Sequence, residues 1–123
     1  MGVFFYSRRM YDRAIAEFKQ VLRMLPELPS AHYNLGGALF GKGQFAEAEA
    51  AFREALALDP GHLEARYFLG LTLRERGRRA EALQEMQMVL RAGPRDRLRR
   101  EAREQIAILR EELEAPGVAK GGR

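Results

Sequence analysis

Side chains that carry out acid–base, nucleophilic or metal chemistry are sparse in this chain of 123 residues. The two histidines, His32 and His62, lie 30 residues apart, and no carboxylates surround them at the spacing of metal ligands. Ser7 and Ser30 have no partner base at a recognisable spacing. The chain contains no cysteine, which excludes disulfides and thiolate metal sites. The sequence therefore predicts no enzyme, no metal site and no cofactor.

The remaining candidates for chemistry have structural interpretations. The glycines within residues 36 to 43 do not form a phosphate-binding loop, because no strand pattern precedes them. Ser30 follows Pro29, which is a context typical of a helix N-cap. His62 is predicted to lie in a solvated turn between two helices.

Positive charge is concentrated in the C-terminal half of the chain, whose net charge is +4 overall. Between Arg74 and Arg100, nine arginines stand beside four acidic residues. Arginine binds phosphate and carboxylate groups well. Nucleic-acid sites often interleave cations with aromatic rings, however, and this stretch contains none. Nucleic-acid binding is therefore disfavoured.

The start of the chain carries no membrane or secretion signal. Its longest apolar run, from Val3 to Tyr6, is far too short for a signal peptide or a spanning helix. With Met1 taken as the true start, the sequence predicts a cytoplasmic protein with no membrane partner.

The chain matches itself at a separation of 34 residues. Between residues 29 to 62 and residues 63 to 96, eleven of the 34 paired positions are identical. A fixed period of this length indicates stacked structural repeats. The same register extends back into residues 1 to 28, so the sequence predicts three units, of which the first is incomplete.

Each complete unit has the pattern of two helices joined by a tight turn. In the unit at residues 29 to 62, apolar positions recur at helical spacing over residues 30 to 42 and again after residue 44. Gly43 is placed to close the first helix in the left-handed conformation. Pro60 ends the second helix, because proline has no backbone N–H to donate. No strand pattern competes, and the prediction is an all-α fold.

A further helix follows the last complete unit. Residues 97 to 114 carry one apolar stripe among many charges, and such an amphipathic helix would cover the end of a repeat array. Residues 115 to 123 are rich in glycine and basic residues and are predicted to be a disordered tail.

Period, hairpin and residue pattern together resemble the tetratricopeptide repeat family. The resemblance rests on Asn34-Leu35-Gly36, Gly43-Gln44-Phe45, Glu47-Ala48, Phe52, Ala55-Leu56 and Asp59-Pro60. It implies a right-handed superhelical α-solenoid of antiparallel helix hairpins with a C-terminal capping helix. The predicted organisation is an N-truncated first repeat at residues 1 to 28, a second repeat at 29 to 62, a third at 63 to 96, the capping helix at 97 to 114 and the tail at 115 to 123.

In the resembled family, the first helices of the repeats line a concave surface on which partner peptides or helices dock. The predicted partner-binding residues on this face are Val3, Tyr6, Tyr33, Asn34, Gly37, Phe40, Tyr67, Phe68, Leu71 and Arg74. Aromatic side chains give a large contact area at a small entropic cost. We therefore predict a non-enzymatic protein-interaction or assembly scaffold. The alternative is that these aromatic residues only pack neighbouring repeats together.

One binding mode of the resembled family is a clamp of lysines, asparagines and a further basic residue that holds two carboxylates of a chaperone tail. Asn34 matches one asparagine of this clamp, but Val3 replaces the other. Glu64 and Phe68 occupy positions that need basic residues. Because Glu64 would repel a carboxylate, a chaperone tail is disfavoured as the ligand, and the identity of the partner stays open.

The N-terminal edge is a second candidate surface. In the register of the repeats, the first helix of unit one has only about nine residues before Tyr11, and so short a helix is marginal in water. Val3, Phe4 and Phe5, together with Tyr6, cannot all face the interior of one hairpin. The alternative function is therefore self-association as a homodimer through Val3, Phe4 and Phe5. Upstream repeats could also cover this edge, or it could be a partly exposed end.

Overall fold

The computed structural model describes the backbone of residues 2–92 and 97–114, with the side chains of these residues from Arg9 onward. Within those ranges the chain forms six α-helices and no strand. Their bounds are α1 Gly2–Met24, α2 Pro29–Lys42, α3 Phe45–Leu58, α4 Leu63–Glu75, α5 Arg79–Ala92 and α6 Arg97–Glu114. The predicted tail at residues 115 to 123 lies outside the described residues, and the division into repeat units remains a prediction.

The helices stack in chain order, and short connections make neighbouring helices antiparallel. Each helix contacts the next one along the chain. In addition α2 contacts α4 and α4 contacts α6, whereas the described residues of α3 and α5 do not touch each other. The stack therefore curves, with α2, α4 and α6 on the inside, and we call the surface formed by these three helices the concave face. The predicted all-α solenoid is confirmed.

Glycine in the left-handed conformation ends the first helix of each complete hairpin. Gly43 has a φ of 88° and Gly77 has a φ of 81°, a region that other residues rarely adopt. The N–H of Gly43 donates to the carbonyl of Phe40 at 3.0 Å, which satisfies one of the free carbonyls at the end of α2. The left-handed turn predicted at Gly43 is confirmed.

Large side chains in the second helix of each hairpin pack against glycine in the first. Phe52 and Met86 occupy equivalent repeat positions in α3 and α5, and both are fully buried. A Cβ atom added to Gly36 would lie 2.7 Å from the Phe52 ring, and one added to Gly70 would lie 2.7 Å from Cε of Met86. The absence of a side chain at both glycines therefore sets how closely the paired helices approach.

The N-terminal part of the chain differs from the prediction. The repeat register predicted a helix of about nine residues that stops before Tyr11. Instead α1 is one continuous helix of 23 residues, Gly2–Met24. The reason lies in Arg9 and Met10, which stand where the second unit has Gly43 and Gln44. Without a residue suited to the left-handed turn, the backbone continues its helical hydrogen bonding.

The predicted N-cap at Ser30 is wrong. Leu28 is the N-cap residue of α2, and its side chain makes no capping hydrogen bond. Pro29 is the first residue of the helix, a position where its missing N–H leaves no donor unsatisfied. Ser30 therefore lies inside the first helical turn, where it is exposed.

Hydrogen bonds to proline carbonyls fix the joints between successive hairpins. Nε2 of His32 donates to the carbonyl of Pro26 at 2.8 Å, and Nη2 of Arg66 donates to the carbonyl of Pro60 at 3.2 Å. Both donors and both prolines are separated by the repeat period of 34 residues. Two different side chains therefore make the same connection in consecutive repeats.

Candidate functional site

Small and polar residues of α2 line one part of the concave face. Asn34 and Gly37 are exposed. A Cβ atom added to Gly37 would have no neighbouring atom within 4 Å. Phe40 follows at helical spacing and is half-buried. These residues therefore border an open space above Gly37.

Phe68 of α4 connects the aromatic residues of α2 into one cluster. Its ring centroid lies 6.1 Å from that of Tyr33 and 6.0 Å from that of Phe40. Tyr33 also lies 6.1 Å from Phe52 in the core. All three rings on the concave side are half-buried and pack against buried residues. They therefore hold the second hairpin against the third and also leave part of their surface on the concave face.

Tyr67 contributes little surface, although it occupies the same repeat position as Tyr33. Its side chain is only 8% exposed, and its ring lies 5.5 Å from that of Phe68. Burial raises the pKa of the Tyr67 hydroxyl, and the nearby carboxylates of Glu101 and Glu104 on α6 raise it further. Tyr67 therefore packs between α4 and α6, as the alternative interpretation expected for these tyrosines.

Arg74 is bonded to α6. Its Nε donates to Oε1 of Glu112 at 3.3 Å, and the same carboxylate accepts from Nε of Arg79 at 3.0 Å. Hydrogen bonding by Arg74 lowers the pKa of Glu112, with a further contribution from Arg79. The guanidinium of Arg74, predicted to bind a partner, therefore ties α4 to the capping helix.

Four residues at helical spacing on α4 form what we call the α4 stripe, made up of Glu64, Phe68, Leu71 and Glu75. Their spacing of three or four residues places them on one face of the helix. We call the space between this stripe and α2 the groove. Phe68 and Leu71 are half-buried, and both glutamates are exposed. The stripe is thus acidic at its two ends and apolar at its centre.

Predicted residues at the N-terminal end lie outside the described side chains. These are Val3 and Tyr6 of the concave-face prediction and Val3, Phe4 and Phe5 of the self-association edge. Of the remaining predicted residues, the structure brings Tyr33, Phe40 and Phe68 into contact with one another. Asn34, Gly37 and Leu71 lie on the same concave face.

His62 has a defined structural role that was not predicted. Its Nδ1 accepts a hydrogen bond from the backbone N–H of Ala65 at 3.1 Å, which caps the N-terminus of α4. Its ring also lies 4.7 Å from that of Tyr33. His62 does lie in the turn between α3 and α4, as predicted, but its side chain is only 18% exposed, so the prediction of a solvated residue is wrong. The position immediately before an apolar helical run was the available signal.

Glu49 is a buried carboxylate that the sequence analysis missed. It accepts hydrogen bonds from Nε of Arg53 at 2.8 Å, from Arg76 and from Nη1 of Arg78 at 2.9 Å. Burial alone would raise the pKa of Glu49, but these hydrogen bonds and the charges of the arginines lower it. The available signal was the alignment of Glu49 with Leu83 in the next unit, which marks an inward-facing position.

Across residues 2–92 and 97–114, the ranges that the structure describes, no group of three or more His, Cys, Asp or Glu side chains is arranged to hold a metal ion. None of the helices described there has the length and apolar character needed to cross a bilayer.

Stacked helix hairpins with a curved inner row define a helical repeat protein. Two models of the tetratricopeptide repeat match the sequence, one over residues 3–62 and the other over residues 39–106. The chain belongs to the tetratricopeptide repeat family. No curated protein is similar enough in sequence to count as a match.

Solved structures of other proteins share this fold. The first tetratricopeptide repeat domain of Spaghetti (RPAP3), bound to the HSP90 peptide SRMEEVD, has a TM-score of 0.81 at 23% identity, covering 93% of this chain and 88% of that one. SycD, the type III secretion translocator chaperone of Yersinia enterocolitica, has a TM-score of 0.81 at 15% identity, covering 89% and 78%. The Sgt2 tetratricopeptide repeat domain from Aspergillus fumigatus has a TM-score of 0.78 at 20% identity, covering 99% and 79%.

Proposed function

We propose that this protein is a non-enzymatic interaction scaffold that holds a peptide or helix of a partner protein on its concave face. The open space above Gly37 is the main support. Asn34 and Phe40 lie beside it at helical spacing on α2, and Phe68 and Leu71 lie on the neighbouring α4. Together they combine an exposed amide with partly exposed apolar surface. Such a combination suits the binding of a short segment. The cytoplasmic location predicted from the sequence is part of this proposal.

Membership of a repeat family gives this assignment its context. Repeat solenoids present extended concave surfaces on which partners bind, and the similar domain of Spaghetti holds a peptide. We assign no reaction to the chain. Among the polar groups of the concave-face helices, Arg74 is in an ion pair with Glu112, Thr72 donates to the carbonyl of Phe68, and Asn34 is exposed.

Gly37 provides a direct test of where the partner binds. Gly37→Trp would fill the open space, whereas Gly37→Ala adds only a methyl group that meets no atom within 4 Å. Random dodecapeptides displayed on phage would be selected on the wild-type protein, and the best peptide would be measured by fluorescence anisotropy. We expect Gly37→Trp to weaken binding by at least about tenfold and Gly37→Ala to leave it unchanged.

Circular dichroism is the control for folding, because both variants replace a helical glycine and should keep the helix content. Equal binding by wild type and Gly37→Trp would contradict groove binding. A selection that yielded no peptide at all would contradict groove binding as well.

The arginine-rich stretch gives little support for nucleic-acid binding. Arg76 and Arg78 are bonded to Glu49, while Arg74 and Arg79 are bonded to Glu112. A phosphate would have to displace these carboxylates, which already supply charge-assisted hydrogen bonds. We therefore keep a protein segment as the proposed partner.

Self-association through the N-terminal edge remains an alternative prediction. The described outward-facing residues of α1 are mainly polar, although Met10 is 52% exposed and Met24 is 75% exposed. Light scattering across a concentration series measures the molar mass. A homodimer through this edge should become a monomer when Phe4→Glu or Phe5→Glu is introduced, because a buried charge opposes association. A wild-type monomer at every concentration would contradict the alternative.

A further inference from the structure

We infer that the segment bound on the concave face is basic, with a short apolar stretch flanked at both ends by lysine or arginine. This inference rests on the proposed function, because it names the chemistry of the segment that the scaffold holds. The α4 stripe is the feature that would recognise it.

The α4 stripe presents the matching pattern of charge. Glu64 and Glu75 mark its two ends, and Phe68 and Leu71 occupy the middle. The side chain of Glu64 is 62% exposed, and Glu75 is also exposed. A basic group at either end of a bound segment would gain attraction there, while the apolar centre would take apolar side chains.

The neighbouring wall of the groove is neutral and leaves room above Gly37, whereas the ring of Tyr11 packs against Gly41. The α2 residues equivalent to the α4 stripe are Ser30, Asn34, Gly37 and Gly41. Asn34 and Gly37 are exposed, and Gly37 has open space above it. Because α2 and α4 contact each other, this wall lies beside the α4 stripe. The segment can therefore approach the acidic stripe without meeting a positive charge on α2.

Cations at the ends of α2 and α4 are already engaged by carboxylates. Nζ of Lys42 lies 2.5 Å from Oδ1 of Asp12, and Arg74 is bonded to Glu112. In the described part of the chain, Glu75 forms no salt bridge, although its charge interacts with that of the neighbouring Arg74. Glu64 has only a 3.8 Å approach to Nδ1 of His62. An acidic segment would therefore meet the negative charges of Glu64 and Glu75, beside two cations that already bind carboxylates.

The spacing of the two glutamates sets the size of the segment. Glu64 and Glu75 are eleven residues apart on one helix, which corresponds to about 16 Å along the axis. An extended segment covers this distance with about five residues. Two basic residues separated by about that number, with apolar residues between them, would reach both ends of the α4 stripe.

The composition of selected peptides tests the inference. Dodecapeptides are selected on the full chain after those that also bind the Gly37→Trp variant have been removed. The remaining peptides report on the groove. We expect an excess of lysine and arginine over aspartate and glutamate, with paired basic residues around an apolar centre. Selected peptides that are acidic or uncharged would overturn the inference and leave the proposed function standing.

Charge removal on the α4 stripe provides the matched comparison. Glu64→Gln combined with Glu75→Gln should weaken the best basic peptide about five- to tenfold, because each partly exposed ion pair contributes modestly. Glu17→Gln combined with Glu54→Gln removes the same charge from exposed positions on α1 and α3 and should change affinity less than about twofold. Raising the salt concentration should reduce the difference between the two double variants.

Each result has a distinct meaning. Equal affinities of the two double variants would overturn the inference, whereas a selective loss in the α4-stripe variant supports it. If the protein doubles its mass during the assay and the α4-stripe variant does not, the occupant is a second copy of the chain and the inference fails. Absence of any peptide sensitive to Gly37→Trp would reject the proposed function and this inference together.

Discussion

Single residues follow the repeat pattern where local backbone geometry decides their role. Gly43 could be predicted because a left-handed turn favours glycine over nearly every other residue. Glu49 and His62 could not be placed in the same way. The role of Glu49 depends on a contact with Arg78, which is far along the chain. The role of His62 depends on which nearby backbone N–H is left free to donate to it.

Two equivalent glycines should respond differently to the same substitution. Gly36→Ala would press a methyl group against the ring of Phe52, and Gly70→Ala would press one against the terminal carbon of Met86. A buried aromatic ring cannot move aside easily, whereas a methionine end can change rotamer. We expect Gly36→Ala to lower the free energy of unfolding by about 1–3 kcal/mol and Gly70→Ala by clearly less.

Urea denaturation of both variants measures this difference. Gly37→Ala is the control, because its methyl group enters open space and should stabilise the helix by about 0.5–1 kcal/mol. Equal losses at Gly36 and Gly70 would show that the two hairpins pack in the same way despite their different neighbours.

Helices were predictable as elements because their boundaries carry local signals. Apolar spacing and the residues at helix ends indicated α2 to α6, while the first unit showed how the register can mislead where Arg9 and Met10 replace the turn. What the sequence did not show is how elements are tied together. Glu112 binds Arg74 and Arg79 across separations of 38 and 33 residues, and no periodic pattern reveals such a pair.

The attachment of α3 to the turn after α4 should weaken in acid. The pKa of Glu49 lies below its ordinary value of 4.5 in the folded protein. Its ionised form therefore stabilises the fold at neutral pH, and this contribution is lost as the pH falls from 4.5 through the folded pKa. Glu49→Gln should lower the free energy of unfolding at neutral pH by about 1–3 kcal/mol.

Urea titrations from neutral pH to acid, on wild type and Glu49→Gln, follow this contribution. The difference between the two proteins should shrink below pH 4.5. Glu54→Gln, at an exposed position of the same helix, should match wild type throughout. A gap that stays constant with pH would show that the charge of Glu49 does not contribute.

The molecule as a whole is a stack in which each helix depends mainly on its neighbours. This architecture could be predicted, because a fixed period implies repeated contacts between adjacent units. The exposure of individual concave-face residues could not. Tyr67 and Arg74 have the same spacing as Tyr33 and Phe40. However, α6 covers Tyr67 and binds Arg74. A similar pattern along two helices therefore gives different surfaces.

Amide hydrogen exchange should be slowest in α4 and fastest in α1. The helix α4 contacts α2, α3, α5 and α6, whereas the described residues of α1 contact only α2. Exchange protection follows the number of packed neighbours that must separate before an amide opens. Exchange measured by mass spectrometry under native conditions gives the order directly. Uniform protection of all helices would indicate that the stack opens only as a single cooperative unit.

The proline-carbonyl joints have a mechanical consequence. At the joint before α4, Arg66 binds the Pro60 carbonyl and also donates to Glu85 of α5 at 2.9 Å, so it braces two hairpins at once. Within the described residues, His32 at the joint before α2 donates to the Pro26 carbonyl and to no side chain of a second helix. The two joints therefore differ in stiffness. Bending would concentrate between α1 and α2. The angle between these two helices could then change while the width of the groove between α2 and α4 stays constant.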